Sequence, residues 1–169
     1  GYVSSKYISD TKTIETTSRG GNSIKAENIT PMEGQETTET EETSKPTDTE
    51  TTEKTAVVEY AKQYLGCPYV YGGSGDKSFD CSGFTMKIYE HFGYSLPHRS
   101  TAQRYSGTAV SWANKQPGDL ICYEMINGVG HVGIYIGNNQ VVHAGSTSTG
   151  VHVSAANYRA VNCVRRIVR

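Results

Sequence analysis

Phe79-Asp80-Cys81-Ser82-Gly83-Phe84 ends a glycine-rich loop, Tyr69-Val70-Tyr71-Gly72-Gly73-Ser74-Gly75, and opens a helical pattern. Phe84, Ile88 and Phe92, with Met86 and Tyr89 between them, give that pattern an apolar face, and Gly93 stops it, so a helix is expected over Cys81–His91. Cys81 then sits in the first turn, at the positive end of the helix dipole. That placement favours the thiolate, the form that attacks carbonyls. The glycines upstream let the backbone approach a bound substrate closely. The turn reads as the seat of a cysteine nucleophile.

Working outward, Ala56–Leu65 carries apolar residues at 57, 58, 61, 64 and 65, a helical spacing with Thr55 as cap and Gly66 as stop. Ser100–Tyr105 reads as a short helix capped by Ser100. From Gly118 onward the texture is β: Leu120–Glu124, His131–Ile136, Gln140–Ala144, Val151–Ser154 and Val161–Val168. Helices first and an antiparallel sheet afterward make an α+β domain, with the N-terminal helices packed on the sheet.

A thiol nucleophile needs a base within hydrogen-bond reach and a group that orients the base. In His131-Val132-Gly133-Ile134-Tyr135-Ile136-Gly137, the residues 132, 134 and 136 face one side, and His131 shares the other with two glycines that leave room. His143 lies on the following strand. If Ile136 pairs with Gln140 across a three-residue loop, Gly133 faces His143 and the two histidines become diagonal neighbours, about 7–8 Å apart at the backbone. A two-residue turn at Asn138-Asn139 would put them on opposite faces. The three-residue loop is therefore expected, with Asn139 left-handed. His91 and His152 carry no motif and read as surface residues.

The rest of the chain is different material. Residues 1–55 hold six Lys/Arg against eleven Asp/Glu, while residues 56–169 hold ten against six. Between Met32 and Ala56 there is no aliphatic or aromatic residue, so residues 9–55, rich in Thr, Glu and Ser, read as a solvated linker unable to offset its ordering entropy. Residues 56–169 have the size of a single domain. Their small positive balance and lack of a recognition motif give no case for nucleic acid, and no apolar run approaches a membrane span. Cys67, Cys81, Cys122 and Cys163 form no C-x-x-C pair, so neither a metal site nor any cofactor is expected. Cys122 and Cys163 read as buried strand positions, and a free Cys81 leaves an odd number for bridges. The chain begins without methionine and in mid-pattern, as a fragment of a longer protein would.

Leu65-Gly66-Cys67-Pro68-Tyr69-Val70-Tyr71-Gly72-Gly73 followed by Phe79-Asp80-Cys81-Ser82-Gly83 resembles the NlpC/P60 cysteine peptidases. Further matching pieces follow in order: Leu96-Pro97, Ser100 with Gln103, Gln116-Pro117-Gly118-Asp119-Leu120, His131 to Gly137, and Val142-His143-Ala144. The resemblance implies a papain-like fold over 56–169. It implies a domain that cuts bacterial cell-wall peptides at the γ-D-glutamyl bond to diaminopimelate or lysine. It makes Cys81 the nucleophile, His131 the base and His143 its orienting partner. It places Tyr69 beside the oxyanion or substrate, and Asp80 and Ser82 on the free amine of a short stem peptide. Asp80 has a second reading as the cap of the Cys81 helix. The family usually shows arginine after Leu-Pro, where this chain has His98-Arg99, which leaves that contact open between the two. Residues 1–8, Gly-Tyr-Val-Ser-Ser-Lys-Tyr-Ile, are similar to the closing strand of a bacterial SH3-type domain.

The expected protein is thus a monomeric, extracellular or wall-associated endopeptidase acting on peptidoglycan or muropeptides. Rival readings are an amidase or transpeptidase on the same fold, a wall-binding module without catalysis, and an effector delivered to rival bacteria.

Overall fold

The computed structural model describes residues 48–169. The readings of residues 1–8 as SH3-like and of the stretch up to residue 47 as linker lie outside the described residues. Helix α1 spans Asp48–Lys62, α2 Cys81–His91 and α3 Ser100–Gln103. Six strands follow: β1 Thr108–Val110, β2 Leu120–Ile126, β3 Val129–Gly137, β4 Gln140–Ala144, β5 Val151–Ala155 and β6 Val161–Arg166. They form one sheet in the order β1-β6-β2-β3-β4-β5, every neighbouring pair antiparallel. The architecture is the expected α+β.

Helix α1 begins eight residues before Ala56, inside the stretch read as linker, and Thr55 is an interior residue rather than its cap. The apolar pattern could not reveal this extension, because its anchor is polar. Lys54 is buried, ion-paired with Glu50 one turn earlier, and its ammonium donates to Gln116 Oε1 at 2.6 Å. Asp48 and Glu50 also suit the positive end of the helix. At the other end the helix stops at Lys62, not Leu65. Gly66 is left-handed (φ 86°), and its N–H joins the chain to Val151 O at 2.8 Å.

Helix α2 has the expected bounds. Asp80 caps its start, and at its end Gly93 (φ 81°) closes the helix with bonds from Gly93 N to Glu90 O and from Tyr94 N to Tyr89 O, both 3.0 Å. Helix α3 departs from expectation. Its N-cap is Arg99, without a side-chain bond, and Ser100 is its first residue. Gln103 holds it in place: buried, it donates to Ser82 O (3.0 Å) and Pro97 O (2.9 Å) and accepts from Thr85 Oγ1 (2.7 Å). This ties α3 to the first turn of α2.

The sheet alternates as a two-faced layer should. Leu120, Cys122, Val132, Ile134, Val142 and Ala144 pack with Val57, Ala61, Phe84 and Ile88 of the helices. Ile121, Tyr123, Tyr135 and Val141 turn to the other face and pack with Ala156. Strand β1 and the 3-10 turn Trp112–Asn114 were not anticipated; β1 is three residues long and mostly exposed. Strand β6 ends at Arg166, where its guanidinium grips buried Asp119 at 2.9 Å. Cys163 is half-buried rather than buried, and all four cysteines are free.

The β3–β4 hairpin corrects one expectation while keeping its consequence. Its turn has two residues, Asn138 (φ 48°) and Asn139 (φ 55°), the backbone of a primed hairpin turn. Gly137 pairs with Gln140, yet Tyr135 pairs with Val141 and Ile134 with Val142. A bulge at Ile136–Gly137 absorbs the extra residue and restores the alternation. His131 and His143 therefore share a face despite the short turn.

Candidate active site

Asp80 builds the turn that presents Cys81. Its carboxylate accepts from Gly83 N (2.7 Å), capping α2, and from Gly72 N (3.0 Å), fixing the glycine-rich loop. Asp80 N donates to Gly73 O at 2.8 Å, and a Cβ on Gly83 would collide with that same carbonyl. A residue larger than glycine at 83 would therefore separate the loop from the helix. The same carboxylate accepts from Ser82 Oγ (3.0 Å) and stands 3.1 Å from His98 Nε2. Of the two readings of Asp80, the cap is formed, and the carboxylate also lines the groove. His98, not Arg99, takes the place beside it.

Cys81 is 7 % exposed and packs in one core cluster with Val132 of β3. The backbone N–H groups of Val132, Ser82 and Cys81 itself favour the charged thiol. Val132 follows His131, so the thiol rests on the strand that carries the candidate base. His131 Nε2 and His143 Nδ1 are 2.8 Å apart, the rings nearly perpendicular. Gly133 makes this possible: a Cβ there would lie 2.9 Å from His143 Cβ and 2.7 Å from Val141 Cγ2.

Burial decides the charge state of this group. It pushes the Cys81 thiol up to about 11, the Asp80 carboxylate adding to the rise and the three N–H groups opposing it. Burial also pulls His131 down to about 4, helped by the Arg159 guanidinium and by His152. His143 falls to about 3 through burial, then through His131 and His152. Near neutral pH the resting pair is a thiol and an uncharged imidazole. The thiolate expected from the helix start does not prevail, because desolvation outweighs the helix end and its N–H groups.

A groove of about 520 Å³ runs over this turn, lined among others by Tyr69, Tyr71, Asp80, Cys81, His98 and Val129. Tyr69 is half-buried; burial raises its hydroxyl pKa, and the neighbouring Cys81 and Asp80 groups act in the same direction. Tyr158 was missed from the sequence. Its ring lies 5.0 Å from that of His143, nearly parallel, and its hydroxyl 3.5 Å from His143 Nδ1. An aromatic in a loop after β5 gives no signal of this without the three-dimensional fold. His152, read as a surface residue, is half-buried and lies within the same cluster, its ring 4.4 Å from that of His143. His91 is exposed and stacks on Tyr60, away from the site.

A cysteine at a helix start laid against an antiparallel sheet, with paired histidines on that sheet, is the arrangement of a papain-like thiol domain. The sequence pattern of the NlpC/P60 family matches residues 66–166, and the chain belongs to that family. It is 44% identical over 88 residues to the probable endopeptidase p60 of Listeria seeligeri, covering 52% of this chain and 17% of that protein. It is 43% identical over 105 residues to the murein DD-endopeptidase MepS/murein LD-carboxypeptidase of Escherichia coli, covering 62% and 55%. The NlpC/p60 domain of the peptidoglycan hydrolase SagA superposes with a TM-score of 0.60 at 33% identity, over 66% of this chain and 97% of that one. The alignment spans less than a fifth of the Listeria relative.

Proposed function

We propose that this domain is a peptidoglycan endopeptidase acting outside the cell, which hydrolyses the γ-D-glutamyl bond to the diamino acid of wall stem peptides through Cys81, His131 and His143. The observation that carries the reading is the His131–His143 contact of 2.8 Å on the strand whose Val132 packs in one core cluster with Cys81. A histidine held by a second histidine beside a thiol is suited to moving a proton during acyl transfer. The names of the relatives support the substrate class.

The neutral resting pair gives the order of events. His131 takes the Cys81 proton as the sulfur attacks the scissile carbonyl carbon, so the thiolate exists only as the bond forms. The Cys81 N–H at the helix start, with Tyr69 nearby, receives the oxyanion. His131 then returns the proton to the leaving amine as the C–N bond breaks, leaving a thioester. Water, deprotonated by His131, adds to the thioester, and the thiol departs with that proton. The Asp80 carboxylate and Ser82 hydroxyl receive the free ammonium of the stem, a charge-assisted contact at the open end of the groove. No step requires a metal or an organic cofactor.

The test is digestion of defined muropeptides, with and without a free N-terminal alanine, read by mass spectrometry. The expected products are an N-terminal dipeptide and a fragment beginning with the diamino acid. Cleavage only at a D,D cross-link, as in the name of the Escherichia coli relative, would replace the proposed bond with that one. Equal wall clearance by Cys81→Ala would refute the catalytic reading altogether.

A further inference from the structure

Strand β5 contributes a polar chain that continues beyond His143. His143 and His152 face each other across the β4–β5 pair. Ser154 lies two residues further along β5, on the same side of the strand. His143 Nε2 stands 3.0 Å from Ser154 Oγ, and Ser154 Oγ stands 3.2 Å from His152 Nε2. The far nitrogen, His152 Nδ1, lies 3.1 Å from Gly150 O. Gly145 leaves space for this arrangement, since a Cβ there would run into the His152 ring.

The direction of every proton in the chain follows from its last member. A backbone carbonyl only accepts, so His152 Nδ1 carries a hydrogen. In the neutral ring His152 Nε2 is then bare and accepts the Ser154 hydroxyl proton. A serine has one hydrogen to give, so its oxygen must accept from His143 Nε2–H. That leaves His143 Nδ1 bare, and it accepts from His131 Nε2–H. The Tyr158 hydroxyl, 3.5 Å from the same nitrogen, is also on the donor side. Of the three bare nitrogens, His152 Nε2 and His143 Nδ1 are occupied as acceptors within the chain, and His131 Nδ1 alone is left to act as a base.

We infer that Ser154 and His152 are positioning residues: anchored on the Gly150 carbonyl, they fix the tautomers of His143 and His131 so that His131 offers Nδ1 as the base toward Cys81. A single orienting histidine would not do this, because an imidazole can present either a donor or an acceptor at Nδ1. The serine and the second histidine remove that ambiguity. The inference rests on the role proposed for His131, but its main readout does not depend on activity.

The test combines nitrogen NMR of the full chain, carrying ¹⁵N-labelled histidine, with kinetics on the muropeptide. In the parent protein His131 and His143 are expected as the Nε2–H tautomers. Ser154→Ala and His152→Phe should each bring in the Nδ1–H form of His131 and lower kcat about tenfold with KM unchanged. Ser154→Thr, which keeps the hydroxyl, should restore both tautomer and rate. Finding His131 as Nδ1–H in the parent overturns the inference. So does an unchanged His131 tautomer in both folded variants, with folding checked by circular dichroism, or an altered tautomer with unchanged kcat. If the parent cleaves no muropeptide, the proposed function fails, while the nitrogen spectra still decide the relay.

Discussion

Two polar clusters flank Cys81, and they differ in their relation to water. On one side His131 and His143 are 8 % and 2 % exposed and are held uncharged by burial. On the other, the side chains of Asp80 and His98 keep 13 % and 30 % of their surface at the open groove. The first cluster bonds its polar atoms to one another, His131 Nδ1 apart, so a proton can move along it with little competition from water. The second holds a carboxylate that meets four protein donors and still faces solvent, which suits recognition of a charged ligand. On the function proposed above, chemistry and recognition would use opposite dielectric conditions on the two sides of Cys81.

The contrast predicts that damage on the buried side lowers kcat and damage on the open side raises KM. Largest should be His131→Ala and Cys81→Ser, each lowering kcat/KM by about 10³-fold or more with the fold retained by circular dichroism. Next is Gly133→Ala, whose Cβ crowds His143; displacement of the orienting ring should lower kcat roughly 100-fold with little change in KM. If KM rises instead, Gly133 serves the groove and the division between the two sides fails. Asp80→Asn, whose Oδ1 can still cap α2, should raise KM about tenfold for stems with a free amine, the scale of one charge-assisted contact. It should leave the KM of N-acetylated stems unchanged, any loss from the loosened turn appearing in kcat alike for both. An equal effect on the KM of both substrates would reduce Asp80 to a helix cap.

The smallest effect concerns stability. The folded pKa of His131, about 4, lies below the ordinary value of 6.5. Its contribution is therefore fully present above about 6.5 and is lost as pH falls toward about 4, since the unfolded chain binds the proton first. The Tm of the parent should drop by several degrees across that window. His143→Asn, which removes the second depressed histidine, should flatten the drop. A Tm profile as steep in that variant would mean that carboxylates, not the histidine cluster, set the acid sensitivity.

Much of this was legible in the sequence, for physical reasons that differ by residue. The bounds of α2 could be read because Asp80 and Gly93 are conventional start and stop residues around an apolar face. The shared face of His131 and His143 was expected from a three-residue loop. The loop is a two-residue turn, and the shared face depends on the Ile136–Gly137 bulge, which strand parity does not reveal. The start of α1 was hidden because Lys54 is held by Glu50 and Gln116 rather than by an apolar stripe. His152 was misjudged because edge strand β5 mixes small and polar residues without a sharp pattern. The protonation of Cys81 was misread because a helix end is visible in sequence and desolvation is not.

The bulge at Ile136–Gly137 carries a consequence for how this hairpin tolerates change in length. Without Gly137, Ile136 would face Gln140 across the same two asparagines, and His143 would still lie beside His131. The hairpin therefore contains one residue of slack, stored where it leaves the alternation of the strands intact. A residue lost within β4 ahead of His143 would instead turn that ring toward the helices. Insertions and deletions only a few positions apart thus have opposite outcomes, one silent and the other fatal to the chemistry.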